Sequence, residues 1–448
     1  MNGGSGAGRV EVVSFGCRLN LVESEAMRRA AAASGRSGLV IVNTCAVTAE
    51  ATRQARQAIR KIKRERPTAE IVVTGCAAQI DADQFAAMAE VSRVIGNLEK
   101  ADPNIWAPST VGQSGAAHVD SAQKDAAKVQ VSDIMSSAAR PQSMSEGVED
   151  HTRAFLAIQT GCDHRCSFCV IPFGRGRSRS TPASEIIGAA RRLVDNGFRE
   201  IVLTGVDLTS YGRDLDAAPR LGGLVKAILR AAPELERLRL SSIDCIEADA
   251  DLIDAFASEP RLMPHLHLSL QAGDDLILKR MKRRHNRGDA VRFCAELRRL
   301  RPNMVFGADF IAGFPTETET MFRNTLALVE DCGLTHLHVF PFSARPGTPA
   351  AKMPPVAGAA VKERAQNLRE AGAAAVRSHH QAQIGKVLRV LTERGGIGRA
   401  EDFSRVRLTG QPPSRMLDVE ISGADGTALD GAIYPPDFAA RRQIVVNC

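Results

Sequence analysis

The first hundred residues repeat a short apolar run followed by a stretch with helical spacing. The apolar runs are Val10–Phe15, Leu39–Val42 and Ile71–Thr74, and helical patterns at Glu23–Ala33 and Thr48–Arg66 follow the first two. Strands that alternate with helices are typical of a parallel sheet covered by helices. We therefore predict a parallel βα domain over residues 10–100.

A second set of strand-like runs, separated by helical patterns, occupies residues 151–380. The six runs are Ala154–Gln159, Glu200–Thr204, Arg237–Ser241, His265–Leu270, Val305–Ile311 and His336–Phe342. Six βα units are short of the eight that close a (βα)8 barrel. The pattern thus predicts a central partial (βα)6 barrel, and the chain as a whole is predicted to be an α/β protein.

The two remaining segments differ from these βα modules. Residues 101–150 lose apolar periodicity and are rich in Ala, Ser, Gln and Asp, which is typical of a linker. Residues 384–448 contain short apolar or alternating runs at Val387–Thr392, Arg405–Leu408 and Met416–Ile421, with glycine-rich turns between them. Such a pattern predicts a small β-barrel at the C-terminal end.

Composition narrows the possible partners and compartment. The 448 residues carry a formal net charge of +7, and this mild surplus favours a polyanionic partner. Ten cysteines spread over a chain of this length do not indicate a disulfide scaffold, so we expect a reduced, cytoplasmic protein. No signal peptide and no apolar stretch of about 20 residues is evident, and no membrane span is expected.

Three closely spaced cysteines follow the first strand of the predicted barrel. Cys162, Cys166 and Cys169 have the spacing Cys-x3-Cys-x2-Cys. Three thiolates can hold three irons of a cubane iron–sulfur cluster and leave the fourth iron open, since full ligation takes four cysteines. Zinc is the alternative, but a structural zinc site takes four ligands, typically as two pairs, and the chain has no second closely spaced pair. We therefore favour the cluster.

Each predicted strand of the first domain ends near a cysteine, namely Cys17, Cys45 and Cys76. In parallel sheets, ligands bind outside the carboxyl ends of the strands, so these three thiols are expected to converge on one point. A cysteine is often only a small buried apolar residue. Because all three strands share the feature, we favour a second three-cysteine metal site.

These motifs are similar to those of a known enzyme family. The Cys162 motif, with Phe168 before its third cysteine, resembles the radical S-adenosylmethionine (SAM) enzymes. From about residue 10 to about residue 430 the chain resembles the methylthiotransferases of that superfamily. Residues 14–20 (Ser-Phe-Gly-Cys-Arg-Leu-Asn) and 43–48 (Asn-Thr-Cys-Ala-Val-Thr) look like its first two cysteine motifs.

The residues beside those cysteines distinguish branches of the family. Relatives acting on isopentenyladenosine tend to carry Gln-Met after the first cysteine, and the branch acting on a ribosomal protein tends to carry Pro-Lys. This chain has Arg18-Leu19 there and Ala46-Val47-Thr48 after the second cysteine. The resemblance therefore favours the branch that acts on threonylcarbamoyladenosine, with isopentenyladenosine or a ribosomal protein as alternatives.

The resemblance implies two [4Fe-4S] clusters, SAM, and a C-terminal TRAM domain. One SAM would methylate sulfur held at the auxiliary cluster of Cys17, Cys45 and Cys76. A second SAM, cleaved at the other cluster, would give the radical that removes hydrogen from C2 of the adenine. The residues expected to contact SAM are Phe168, Gly205, Ser242, Gln271 and Asp309.

The implied substrate is a tRNA modified next to the anticodon. An electron donor and a sulfur source, both unknown, would also be partners. The residues expected to contact phosphates lie in three basic segments: Arg53, Arg56 and Arg60; Arg175, Arg177 and Arg179; and Lys282 and Arg283. The alternative of another class is a non-catalytic RNA-binding protein whose cysteine sites hold zinc, which iron and sulfide analysis distinguishes.

One segment departs from the family pattern. Ser241-Ser242-Ile243-Asp244-Cys245 stands where relatives usually have Ser-Ser-Ile-Glu-Pro. The departure leaves the role of Asp244 open, and Cys245 is expected to be a structural residue.

Overall fold

The computed structural model of the chain describes residues 10–107, 128–136, 138–140 and 146–434. Parts of the predicted linker, residues 108–127, 137 and 141–145, lie outside the described residues. Residues 435–448 of the predicted C-terminal barrel also lie outside them.

A five-stranded parallel sheet forms the N-terminal module, with its strands in sequence order. The strands are β1 Glu11–Ser14, β2 Leu39–Thr44, β3 Glu70–Gly75, β4 Arg93–Ile95 and β5 Val129–Gln130. Every residue of β2 is buried, as expected for a parallel strand covered on both faces. The short strand β5 comes from the predicted linker, because Val129 pairs with Val94 and packs on the sheet core.

Helices cover this sheet and begin where the sequence supplies a start signal. They are α1 Arg18–Ala33, α2 Ala49–Glu65, α3 Cys76–Ile80 and α4 Ala82–Ala86. The hydroxyl of Thr48 accepts a hydrogen bond from the Ala51 N–H and caps α2. Helix α1 begins directly after Cys17 and α3 begins at Cys76, so two of the strand-end cysteines lie at helix starts.

The central module is a partial barrel of parallel strands. Its six main strands are β6 Ala154–Ala157, β9 Glu200–Thr204, β10 Arg237–Leu240, β12 His265–Gln271, β13 Val305–Ala312 and β14 Leu334–Pro341, with β7 Gln159–Thr160, β8 Arg179–Ser180 and β11 Ser242–Ile243 as short additions. They pair in the orders β6-β9-β10 and β11-β12-β13-β14, and β7 pairs antiparallel with β8.

The helices of this module lie between its strands and pack on them. They are α5 Ile171–Arg175, α6 Ala183–Asp195, α7 Leu221–Ala231, α8 Ala250–Ser258, α9 Asp275–Arg280, α10 Arg287–Leu300, α11 Glu319–Asp331 and α12 Gly358–Gln381. Their starts carry local signals: Asn286 and Asp289 form a capping box on α10, and Thr318 caps α11. The buried leucines and isoleucines of helices and strands form one continuous core.

The C-terminal module is a small closed barrel of five strands. Its strands are β15 Val387–Glu393, β16 Ile397–Ala400, β17 Arg405–Arg407, β18 Met416–Ala424 and β19 Leu429–Ile433. Val390, Val406 and Val419 fill its interior. The predicted fold class, an α/β protein with a partial barrel and a small C-terminal β-barrel, is therefore confirmed. Among the described helices, none combines the length and apolar character needed to cross a bilayer.

Two buried arginines of β10 join the C-terminal barrel to the central module. Arg237 donates to the carbonyl oxygen of Arg399 at 3.0 Å, and Arg239 donates to that of Glu401 at 3.0 Å. Beneath them lies Glu200, which is fully buried and accepts a hydrogen bond from Arg239 at 2.9 Å. Burial alone would favour a neutral acid, but the Arg239 and Arg237 cations outweigh it and lower the pKa of Glu200 to about 2.

We expect Glu200→Ala to destabilise the protein by about 3–5 kcal/mol, because two buried guanidinium groups lose their anion. Chemical denaturation is the measurement, and Glu185→Ala, which removes an exposed carboxylate from α6, should change stability by no more than about 0.5 kcal/mol. The contribution of Glu200 is present above its unfolded pKa near 4.5 and is lost as pH falls toward 2. Equal stability of the two variants at neutral pH would contradict this account.

Candidate active site

The strand-end cysteines of the N-terminal sheet converge as the topology requires. Cys45 directly follows β2, Cys76 directly follows β3, and Cys17 lies three residues beyond β1. The Cys45 thiol interacts electrostatically with both Cys76 and Cys17, and it accepts a hydrogen bond from the Val47 N–H at 3.5 Å. Burial raises the pKa of Cys45 to about 11. The backbone at Gly16 lies close to Cys45, and only glycine permits this, since a Cβ at position 16 would lie 2.6 Å from the Cys45 sulfur.

The second cysteine trio lies in the loop between β7 and α5. Cys162 interacts electrostatically with Cys169 and Cys166, and the Cys169 sulfur accepts a hydrogen bond from the Ile171 N–H at 3.4 Å. Burial raises the pKa of Cys162 well above its usual value and that of Cys169 to about 11. A bound metal would hold these thiols as thiolates, because the thiolate is the ligand.

The spread of each trio distinguishes one metal ion from a larger cluster. Two thiolates on one zinc lie no more than about 4.6 Å apart, since each Zn–S bond is about 2.3 Å. In the described part of the chain, three groups of side chains place three ligand atoms within 4.8 Å of one another, and each contains at most one cysteine. Neither cysteine trio is among these compact groups, so neither is preformed as a single-zinc site in the described residues.

Arg175, at the end of α5, joins the two cysteine sites. Its Nε donates to the Cys76 sulfur at 3.1 Å, and its Nη1 donates to Glu23 at 2.7 Å. It also donates to the side-chain oxygen of Asn20. Arg175 is only 3% exposed, so the central module inserts a buried cation into the N-terminal cysteine site.

The charges around Arg175 balance one another. Glu23 also accepts a hydrogen bond from Lys100 at 2.7 Å. Burial opposes ionisation of Glu23, but the Arg175 and Lys100 cations outweigh it and lower its pKa to about 2. Burial likewise opposes the charge of Arg175, but Cys76 and Glu23 raise its pKa well above its usual value. The node therefore holds a buried cation within hydrogen-bond distance of the Cys76 sulfur.

The structure reassigns three of the arginines that were predicted to contact phosphates. Arg175 is buried in the node just described, and Arg179 is buried and donates to the Arg175 carbonyl oxygen at 2.7 Å. Arg283 donates to Asp244 at 2.7 Å and approaches the Cys166 sulfur at 3.7 Å. A basic run in the sequence looks alike whether its side chains are solvated or buried. These three side chains lie beside the cysteine sites, and their burial does not agree with the predicted phosphate contacts.

The other predicted basic residues remain accessible to a large partner. Arg53, Arg60, Arg177 and Lys282 are exposed, and Arg56 is half-buried over the ring of Phe85.

A cavity of about 520 Å³ lies between the N-terminal sheet edge and the mouth of the partial barrel. Cys17 and Cys45 line one side of it, and Gly205, Ser242 and Asp309 line the other. A smaller cavity of about 210 Å³ adjoins the larger one, and Asp309 lines both of them. Four of its lining residues are Phe168, Cys169, Gln271 and Asp309.

Every residue predicted to contact SAM thus lines one of these two cavities. A side chain at position 205 would crowd its neighbours, since a Cβ there would lie 3.0 Å from the side chains of Gln159 and Leu208. Phe168 packs edge-on to Phe314 with ring centroids 6.5 Å apart. Gln271 ends β12 with a φ of +70°, a left-handed conformation that turns the chain at the cavity wall.

Four histidines that the sequence analysis did not select line the larger cavity: His265, His267, His336 and His338. His267 hydrogen-bonds to Asp309 at 2.9 Å, and His338 approaches the same oxygen at 3.3 Å. Burial opposes ionisation of Asp309, but these hydrogen bonds outweigh it and lower its pKa to about 2. The sequence does contain a signal for these histidines, since a His-x-His pair occurs on each of two strands. This spacing places both side chains of a pair on the same face of the strand.

The departure at residues 244 and 245 has a structural explanation. Asp244 accepts the hydrogen bond from Arg283, and Cys245 is buried at 5% exposure within the barrel core. Asp244 therefore orients the arginine that lies next to Cys166.

Comparisons with known proteins place these sites in context. A model of the Radical SAM superfamily matches residues 156–329, and a model described as uncharacterized protein family UPF0004 matches residues 9–96. The chain is 46% identical over 400 residues to the threonylcarbamoyladenosine tRNA methylthiotransferase MtaB of Rickettsia prowazekii, covering 89% of this chain and 91% of the relative.

Two further relatives match along most of their length. The MtaB protein of Thermotoga maritima is 35% identical over 395 residues, 86% of each chain. The tRNA-2-methylthio-N(6)-dimethylallyladenosine synthase of Cereibacter sphaeroides is 32% identical over 445 residues, covering 92% of this chain and 98% of the relative.

We expect Arg175→Gln to lose iron from the N-terminal cysteine site and to lower the unfolding midpoint. The change leaves the half-buried Glu23 carboxylate with Lys100 as its cationic partner, and breaking a fully buried pair, the upper limit here, costs about 3–5 kcal/mol. Iron per chain after reconstitution and a thermal melt are the measurements. Arg177→Gln, an exposed position two residues away, is the matched control and should keep its iron. Full iron content in Arg175→Gln would contradict the role of the node.

Proposed function

The chain belongs to the MtaB-type subgroup of the radical SAM methylthiotransferases, and on that premise we propose that it methylthiolates C2 of N6-threonylcarbamoyladenosine next to the anticodon of a tRNA. The observation that carries the proposal is the pair of adjoining cavities. They bring cysteines of both trios and the residues expected to contact SAM to one place.

Both cysteine trios fit the clusters that this chemistry requires. Cys162, Cys166 and Cys169 would hold one [4Fe-4S] cluster, and Cys17, Cys45 and Cys76 would hold the second. When bound, the clusters supply the electron that cleaves SAM and the site from which sulfur is transferred. An electron donor and a sulfur source are needed as further partners.

The protein's own groups orient and shield this chemistry. The N–H groups of Val47 and Ile171 donate to Cys45 and Cys169 and favour their thiolate forms. Asp309, held by His267 and His338, presents a fixed carboxylate where the two cavities meet. Such a group is placed to orient an amino group or a hydroxyl of a bound ligand.

The apolar part of the cavity wall limits water at the reacting carbon. Leu240, Phe340 and Val47 contribute to this wall. A site that excludes water protects a reactive species from side reactions.

The accessible basic residues support binding of the tRNA backbone. Arg53, Arg60, Arg177 and Lys282 would contact phosphates, which position the RNA without reading its sequence. An adenosine beside the anticodon lies in a single-stranded loop, so its base can be splayed out of the stack into a cavity. The choice of threonylcarbamoyladenosine over isopentenyladenosine is supported by the higher identity to the first MtaB relative and by Arg18-Leu19 after the first cysteine.

Changes at the two trios should separate the two half-reactions. Cys166→Ala should remove about half the iron and abolish SAM cleavage, because three ligands leave none to spare. Cys45→Ala should also remove about half the iron but should keep reductive SAM cleavage and lose methylthio transfer. Iron analysis and product analysis of both reactions are the measurements.

The control for these changes is Cys332→Ala, which removes a thiol that lies in the barrel core and should keep all the iron. SAM cleavage by Cys166→Ala, or full transfer by Cys45→Ala, would refute the assignment of that trio.

A strain that lacks this protein should lose the methylthio form of threonylcarbamoyladenosine and accumulate the unmethylthiolated nucleoside. Mass spectrometry of nucleosides from its total tRNA is the measurement, and methylthio-isopentenyladenosine serves as the internal control that should not change. Loss of the isopentenyl product instead would reject the proposed substrate. If neither nucleoside changes, a protein substrate replaces the tRNA.

A further inference from the structure

Arg18 is the first residue of α1 and follows the cluster cysteine Cys17. It lines the cavity of about 520 Å³, on the same side as Cys17 and Cys45. A cation at this position faces the space where the modified base is proposed to bind. Whether protein groups already pair with the Arg18 guanidinium therefore decides whether it is free to bind the modification on the base.

The Arg18 guanidinium belongs to a group of four around the ring of Phe403. The distances from the guanidinium carbon to the ring centroid are 5.8 Å for Arg18, 5.1 Å for Arg153, 4.9 Å for Arg239 and 4.8 Å for Arg399. Four cations at one aromatic ring repel one another, and nearby anions or carbonyl oxygens are needed to offset this repulsion.

Three of the four cations have such acceptors within the protein. Arg153 pairs with Glu393 at 3.0 Å, and Arg399 pairs with the same carboxylate at 3.5 Å. Arg239 pairs with Glu200 at 2.9 Å. The two carboxylates are thus already occupied by the other arginines.

Arg18 is the exception in this group. Within the described ranges, no oxygen accepts a hydrogen bond from its guanidinium and no carboxylate pairs with it, and its contacts are the rings of Phe155 and Phe403. In the described residues Arg18 is therefore a half-buried cation with no carboxylate in ion-pair contact, and it borders an open cavity.

The proposed substrate carries one anion that fits. The threonyl part of N6-threonylcarbamoyladenosine ends in a carboxylate, whereas an isopentenyl group has no charge. A guanidinium binds a carboxylate through two parallel hydrogen bonds, which gives direction as well as strength.

We propose that Arg18 is a specificity-determining residue that binds the threonyl carboxylate of the modified adenosine. This inference rests on the proposed function. It makes the charge next to Cys17, rather than the shape of the cavity alone, the feature that selects the substrate.

The test compares two anticodon stem-loop RNAs that differ only at the proposed contact. One carries threonylcarbamoyladenosine with its free carboxylate, and the other carries the methyl ester of the same group. Binding to the reconstituted holoenzyme is measured by fluorescence anisotropy, so the readout does not depend on turnover. The wild-type protein should bind the acid about 10-fold to 100-fold more tightly than the ester, the range of a charge-assisted hydrogen bond.

Substitution of Arg18 should remove this difference. In Arg18→Gln, affinity for the acid should fall to that of the ester, while affinity for the ester stays unchanged. Arg18→Lys keeps the charge without the paired geometry and should restore part of the preference. Arg323→Gln, an exposed position on α11, is the matched control and should keep the full ratio.

Each remaining outcome overturns the inference. A wild-type protein that binds acid and ester equally has no carboxylate recognition, and this comparison needs no variant. If Arg18→Gln still discriminates fully, another residue binds the carboxylate. If it weakens binding of acid, ester and unmodified RNA alike, Arg18 contacts a phosphate. Failure of the proposed function is a separate result, because the wild-type holoenzyme would then methylthiolate no RNA that carries threonylcarbamoyladenosine.

Discussion

The buried guanidinium of Arg175 fixes the N-terminal sheet against the partial barrel. It extends from the end of α5, the helix after the loop that carries Cys162, Cys166 and Cys169, and it reaches the sulfur of Cys76 in the other module. Glu23 and Asn20 accept its remaining hydrogen bonds. Without this cation Glu23 would keep Lys100 as its cationic partner, and the contact between the two modules through Cys76 would be lost. The relative position of the two cysteine sites is therefore set by charge as well as by apolar packing.

All three modules contribute residues to the wall of the larger cavity. The N-terminal sheet contributes Cys17 and Cys45, the barrel strands contribute the histidines and Asp309, and the C-terminal barrel contributes Phe403. Phe403 stacks on His265 with centroids 5.2 Å apart, and Arg239 binds carbonyl oxygens next to it in the same barrel. The C-terminal barrel thus closes one side of the cavity, in addition to any role in RNA binding.

Periodicity and spacing in the sequence were enough to predict the architecture and the position of the cysteines. A cysteine directly after a strand lies at the carboxyl edge of any parallel sheet, because the carboxyl ends of all its strands meet at that edge. The phosphate contact predicted for Arg175 does not agree with its burial, since a charge run carries no information on which side chains find buried partners. The strand Val129–Gln130 was missed because two residues give no periodicity. The histidines of β12 and β14 were missed because they converge only when the two strands flank β13.

The central claim of the proposal is that two clusters lie side by side at two adjoining cavities, and electron paramagnetic resonance of the reduced holoenzyme tests it most directly. Cysteines of the two trios line adjoining cavities that share Asp309, so two reduced clusters held by these trios should interact magnetically. The account predicts that the wild-type spectrum is broadened and differs from the sum of the Cys45→Ala and Cys166→Ala spectra. A wild-type spectrum equal to that sum, or one cluster alone in the wild type, would contradict it.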